Sequence, residues 1–185
     1  MKNLGRFAAQ VKVGAAAMTG ALLMSAIASP AAADSVRWRT IIGVSPISLT
    51  AATPTTPPTP VQNVVAGIPP GGQPWSTLGG HAAVDLAAGR VEFEVEGLVL
   101  AGGNTIGTPD GINQVMGTLV CPVTPTPVVI NTALVPLSAQ GDAEFSGSVG
   151  AIPTSCTSSN VLFLVRIAAG RWIANGSVRT SGKDQ

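Results

Sequence analysis

Residues 91–96, Val-Glu-Phe-Glu-Val-Glu, alternate apolar and acidic side chains without a break. Successive side chains of an extended chain point to opposite faces, so Val91, Phe93 and Val95 share one face and Glu92, Glu94 and Glu96 the other. A helical period would wind both sets around a cylinder and leave neither face apolar. The segment therefore predicts a strand with one buried and one wet side, the kind found in antiparallel sheets.

The same texture recurs along the chain. Strands are expected over 36–42, 83–86, 115–120, 128–130, 133–137, 143–149, 161–165, 172–174 and 175–180, with an Asn-Gly turn at Asn175-Gly176. Gly102-Gly103, Pro109-Asp110-Gly111 and the Pro122–Pro127 stretch punctuate them. Ala-Ala-Gly-Arg occurs twice, at 87–90 and 168–171, each time between two strand candidates. Both are expected to be hairpin turns with the glycine at positive φ, which a Cβ disfavours by about 1–2 kcal/mol. Val161–Val165 is apolar throughout and predicts a central strand covered on both faces, with Leu162, Leu164 and Trp172 buried and Arg166 and Arg171 at the rim. Beyond residue 33 no window carries a sustained helical stripe. The expected fold is all-β, an antiparallel β-sandwich or partly closed barrel with one disulfide, preceded by a Pro-rich arm.

The N-terminal segment constrains location. Lys2, Arg6 and Lys12 precede an apolar stretch from Val13 to Ile27, and Ala31-Ala32-Ala33 ends it before Asp34. A basic lead, a short apolar run and an A-x-A ending match a secretory signal peptide over 1–33. The run falls short of the ~20 residues a membrane span requires, so no span is expected after cleavage, and the mature protein is expected to be secreted or periplasmic. Export makes a Cys121–Cys156 disulfide the leading expectation for the only two cysteines. The mature chain is then divided into 34–74, a first strand and the Pro-rich arm, and 75–185, the β-sandwich domain. Eight prolines between Pro46 and Pro74 predict an extended, polyproline-like arm there.

Composition excludes some partners. The mature chain has seven basic residues against nine acidic, no basic run, and Lys183 as its sole lysine. Nucleic acid and anionic lipid both need clustered cations. Charged residues make up 10% of the chain, against an average of about 25%.

The order of Pro74-Trp75, Gly80, the 89–104 segment, Gly117–Cys121 and Trp172-Ile173-Ala174 resembles a group of uncharacterised exported bacterial β-domain proteins, over most of residues 74–180. That resemblance implies export and a β architecture and assigns no chemistry. A Pro-rich lead, Gly80-x-Ala82-x-Val84, a hairpin and Phe93-x-Val95-x-Gly97-Leu98 are similar to the CHRD domain, an extracellular β module. Its paired-histidine motif is missing here, so the likeness implies architecture alone.

Candidate chemistry is sparse. His81 is the only histidine, and Asp85 lies four residues on along the same strand, ~13 Å away at strand rise, too far to orient it as a base. Gly147-Ser148-Val149-Gly150 lacks the glycine two before the serine of a nucleophile elbow. Glu92, Glu94 and Glu96 offer hard oxygens for calcium or a carboxylate pair for glycoside chemistry. A solvated face balanced by Arg166, Arg171 or Arg179 on neighbouring strands is the simpler expectation. Trp75, in a Gly- and Pro-rich setting, is the tryptophan expected to be exposed and able to stack on a sugar. No catalytic set and no cofactor site emerges. The expected function is a non-catalytic exported β-domain with a structural role or an unidentified protein or cell-surface partner; the alternative is a binding module for carbohydrate or calcium, using Trp75, Glu92, Glu94 and Glu96.

Overall fold

The computed structural model describes residues 34–181; the expected signal segment 1–33 lies outside them. The first half of the chain forms β1 (Ser35–Gly43), β2 (Ile47–Leu49), β3 (Pro60–Gln62), β4 (Trp75–Ser76), β5 (Gly79–Asp85), β6 (Arg90–Glu96) and β7 (Val99–Leu100). The second half forms β8 (Gln114–Cys121), β9 (Val128–Asn131), β10 (Val135–Pro136), β11 (Ala143–Ser148), β12 (Leu162–Ile167) and β13 (Trp172–Ser181). No helix occurs among the described residues.

Nine strands make one antiparallel sheet in the order β10-β8-β12-β13-β1-β5-β6-β11, with β9 also pairing β8. The sheet curls into a half-barrel: Phe163 on β12 and Phe93 on β6 lie far apart in strand order, yet their ring centroids are 5.5 Å apart. Of the two architectures the sequence allows, the partly closed barrel is the one formed. Burial on β6 alternates residue by residue, with Val91, Phe93 and Val95 inside. Trp38, Phe93, Phe145 and Phe163 form a chain of ring contacts through the interior.

β1 is hydrogen-bonded between β13 and β5. The sheet thus begins at Ser35, and the division at residue 74 does not separate a lead-in from a domain. The Pro-rich arm also differs from a continuous polyproline segment. Residues 47–62 fold into a two-stranded ribbon, β2 with β3, that stands exposed away from the main sheet. Both strands of a ribbon are edges, so half their amides need no partner and proline is tolerated. Residues 63–75 then turn back and cap one end of the barrel. Trp172 donates its indole N–H to Asn63 O (3.0 Å) and its amide to Pro69 O (3.1 Å), and Gly71 donates its amide to Trp172 O (2.8 Å).

Both Ala-Ala-Gly-Arg segments are hairpin turns, with φ of 63° at Gly89 and 84° at Gly170. Asn175-Gly176 is not a turn: β13 runs straight through it, with Gly176 opposite Ile41. The glycine makes room, since a Cβ there would lie 2.6 Å from Trp38 Cγ. Val161, just before β12, and Phe163, Leu164 and Val165 within it are buried as the apolar run requires, but Leu162, at the strand's start, is 37% exposed. Only Val135-Pro136 of the expected 133–137 strand is paired.

Cys121 and Cys156 form a disulfide with their Cα atoms 5.3 Å apart, tying β8 to the loop before β12. Over a sequence separation of 35 the bond should stabilise the fold by about 4 kcal/mol in the chain-entropy model. Thermal denaturation of the Cys121→Ala/Cys156→Ala double variant should show that loss; an unchanged melting temperature would refute it.

The two turn glycines allow a sharper test. Both substitutions to alanine carry the left-handed backbone cost of about 1–2 kcal/mol. At Gly89 the new Cβ would also fall 1.9 Å from the Gly150 carbonyl oxygen, whereas at Gly170 it meets only the end of the Arg166 side chain at 3.0 Å. Urea denaturation should find Gly89→Ala clearly the more damaging, and equal losses would contradict the turn geometry.

Candidate functional site

Strand β6 presents Glu92, Glu94 and Glu96 on the outer, exposed face of the half-barrel. Its two neighbours complete that face. On β5, His81 sits opposite Glu94, with Nδ1 3.7 Å from Glu94 Oε2 and Nε2 3.7 Å from Glu92 Oε1. On β11, Glu144 sits opposite Glu94 in register, and Ser146 opposite Glu92. Four carboxylates thus line two adjacent strands, and the imidazole lies beside two of them, Glu92 and Glu94. Like charges directly across a ladder repel, and Glu94 and Glu144 face each other on an exposed surface where solvent screens that repulsion. Glu144 was not among the residues the sequence singled out; its approach depends on β11 register, which no local pattern encodes.

The arginines expected to balance this face are elsewhere. Arg166 donates to Gly170 O (2.9 and 2.7 Å), Arg171 to Pro70 O (3.1 Å), and Arg179 to Val161 O and Ser159 O (both 3.0 Å). They hold turns and loops together; burial lowers the Arg166 pKa from the ordinary guanidinium value. β13 and β1 separate β12 from β5, so strand order keeps Arg166 away from β6. Arg37 and Arg90 line the depression at the far end of the face instead, with Asp85 and Glu92.

Trp75 lies in the interior, 7% exposed, which corrects the expectation of an exposed sugar-stacking ring. Its strand β4 pairs with β7, and its amide donates to Val44 O (2.9 Å). A Cβ on Gly71 would lie 3.3 Å from the indole Nε1, so the glycine beside it provides the space to pack. Trp38 and Trp172 are buried as well, leaving no tryptophan of this chain to form an aromatic platform.

Asp85 is not a partner for His81. Its carboxylate accepts the amides of Ala87 (3.0 Å) and Ala88 (2.9 Å) and shapes the hairpin turn. The disulfide occupies both cysteine sulfurs. Among the described residues, no group of three or more His, Cys, Asp or Glu is disposed to hold a metal ion.

The acidic face continues into two open depressions of about 750 and 570 Å³ that share Glu94 and Glu144. The larger one is also lined by Glu96, Pro136, Asp142 and Leu78, the last 88% exposed. Asp142 is committed to the fold, accepting the Gly97 amide (2.9 Å). β11 pairs with β6 on one side and with no strand on the other. An extended groove results, acidic along its floor and bordered by a free sheet edge.

No protein-family model matches the chain, and no curated protein or solved structure shows significant similarity to it. Among the described residues, no helix is long and apolar enough to cross a membrane.

The glutamates are predicted to be dispensable for folding. Neutralising Glu144 to Gln removes a like-charge contact and should leave stability within about 0.5 kcal/mol of the parent. Any change should be toward greater stability and shrink at high salt. Denaturant titration at two ionic strengths reads both, and a marked loss would show that the carboxylate has a structural partner.

Proposed function

We propose that this chain is an exported, non-catalytic β-domain that binds a partner protein through the face built by β6 and β11. The observation that carries this reading is the juxtaposition of Glu92, Glu94, Glu96 and Glu144 with the unpaired edge of β11. A free strand edge supplies main-chain hydrogen bonds to an added extended segment, and side-chain chemistry beside it sets which segment fits. Four carboxylates select a segment bearing Lys or Arg. They also disfavour a second copy of this chain, whose own β11 edge would bring Glu144 with it.

Export is supported by the signal pattern at 1–33 and by the disulfide, a bond of oxidising compartments. The non-catalytic reading rests on geometry. The sole histidine lies between two glutamates on an open surface, and Asp85 is engaged in a turn. The calcium alternative retains the same carboxylates as its basis, while the sugar alternative loses Trp75.

Fluorescence anisotropy against short extended peptides that differ only in Lys/Arg content tests the assignment. Binding should rise with peptide charge, weaken as salt increases, and vanish in the Glu92→Gln/Glu94→Gln/Glu144→Gln variant. Indifference to peptide charge would overturn the reading. A calcium-induced rise in melting temperature would instead favour the metal-binding alternative.

A further inference from the structure

The β2–β3 ribbon has features that partner binding at β11 does not explain. Every residue from Ile47 to Gln62 is exposed. No Asp, Glu, Lys or Arg occurs between Thr40 and Gly80. The ribbon and its base expose Ile47 (51%), Leu49 (66%), Val61 (44%) and Val64 (51%). β2 and β3 pair only with each other, so both outer edges are free. Natural proteins guard such edges with charge, proline or a cover. Here proline is present, charge is absent, and threonine is abundant: Thr50, Thr53, Thr55, Thr56 and Thr59 alternate with four prolines.

The threonines fall into two sets. The Thr50 and Thr59 hydroxyls pair at 3.1 Å across the ribbon, and Thr53 Oγ1 accepts the Thr56 amide at 3.0 Å. These hydroxyls stabilise the ribbon. Thr53 and Thr56 also exchange two backbone hydrogen bonds (3.0 and 3.3 Å), leaving Pro54-Thr55 as a two-residue tip. The hydroxyls of Thr55, in the tip, and Thr56, beside it, make no hydrogen bond to another described residue, and both residues are exposed.

We propose that this tip is a site of O-linked glycosylation, with Thr55 and Thr56 as acceptors. Thr- and Pro-rich exposed segments have the composition of O-glycosylated stalks. The structure adds a reason: a hydrated glycan supplies the cover that the missing charges leave undone over an apolar, two-edged ribbon. In the transfer, threonine Oγ1 attacks the anomeric carbon of an activated glycosyl phosphate. The new C–Oγ1 bond forms as the bond from that carbon to phosphate oxygen breaks. The phosphate leaves with the electron pair, the hydroxyl proton passes to a base of the transferase, and nothing is oxidised or reduced.

The test uses the protein purified from its natural source. Trypsin cutting after Arg39 and Arg90 releases the whole region as one peptide, Thr40–Arg90. Mass spectrometry with side-chain-preserving fragmentation should find sugar-mass increments on Thr55 and Thr56. The Thr55→Ala/Thr56→Ala variant from the same host should lose them while melting at the same temperature, because neither hydroxyl holds the fold. An unmodified peptide overturns the assignment, as do increments confined to Thr50 and Thr59 or to the second Thr-Pro segment at Thr124–Pro127. The N-terminal residue of the same sample reports export separately, so failure of the glycan and failure of the export reading are distinguishable.

Discussion

Phe93 and Phe163 are on strands separated by β13, β1 and β5. In a flat sheet four inter-strand steps would hold them about 19 Å apart; their ring centroids are 5.5 Å apart. That contact exists only because the sheet curls, and the curl needs small residues on its inner wall. Gly117 on β8 is the clearest: a Cβ there would lie 2.9 Å from the Phe93 ring and 3.0 Å from that of Phe163. Gly176 does the same for Trp38. Large rings on some strands and bare backbone on others are what make the inner face concave, in the alternation of large and small side chains by which small barrels fill their interior.

Curling also places the polar chemistry. Once Val91, Phe93 and Val95 commit to the inside, strict alternation puts Glu92, Glu94 and Glu96 outside. The pairing of β6 with β11 then sets Glu144 against Glu94. The sheet ends at β11 rather than joining β8 through hydrogen bonds, so the acidic face and a free edge occur together. Neither feature alone singles out a surface, since exposed carboxylates are common and edges are routinely guarded by charge. Their coincidence with the exposed Leu78 gives the groove one apolar and one acidic element, a combination suited to an amphipathic extended segment.

Local pattern encoded much of this fold. The β6 alternation, the two Ala-Ala-Gly-Arg turns and the disulfide pair were all legible, because each depends on neighbours in sequence or on cysteine count. What was illegible depends on distant neighbours. Gly176 beside Asn175 has the dipeptide signature of a turn, but it pairs with Ile41 and lies against Trp38 of β1, so the strand continues through it. Trp75 sits in a Gly- and Pro-rich context that suggests a surface loop, yet one of those glycines, Gly71, leaves the space its ring fills in the core. Arg166, Arg171 and Arg179 look available to neutralise glutamates until strand order shows them committed to carbonyls elsewhere. Of the site, the three β6 glutamates were readable from period two alone; Glu144 and the open edge were not.

The Pro-rich stretch shows one composition serving two environments. Its second half, from Asn63 to Trp75, uses carbonyls of Asn63, Pro69 and Pro70 as acceptors for Trp172 and Arg171. Proline keeps its carbonyl while losing its donor, so a Pro-rich strap can accept hydrogen bonds from a barrel rim without bringing amides that burial would leave unpaired. Its first half has no rim to meet and closes on itself through threonine hydroxyls and a few amides. The absence of charge suits the first role, since the strap buries its own Trp75 and its Gly71 packs against the buried Ile173, where an ion would be costly. In the ribbon the same absence leaves apolar side chains in water without the usual electrostatic guard. That asymmetry within one uncharged run is the physical reason the ribbon, rather than the strap, is where additional surface chemistry is needed.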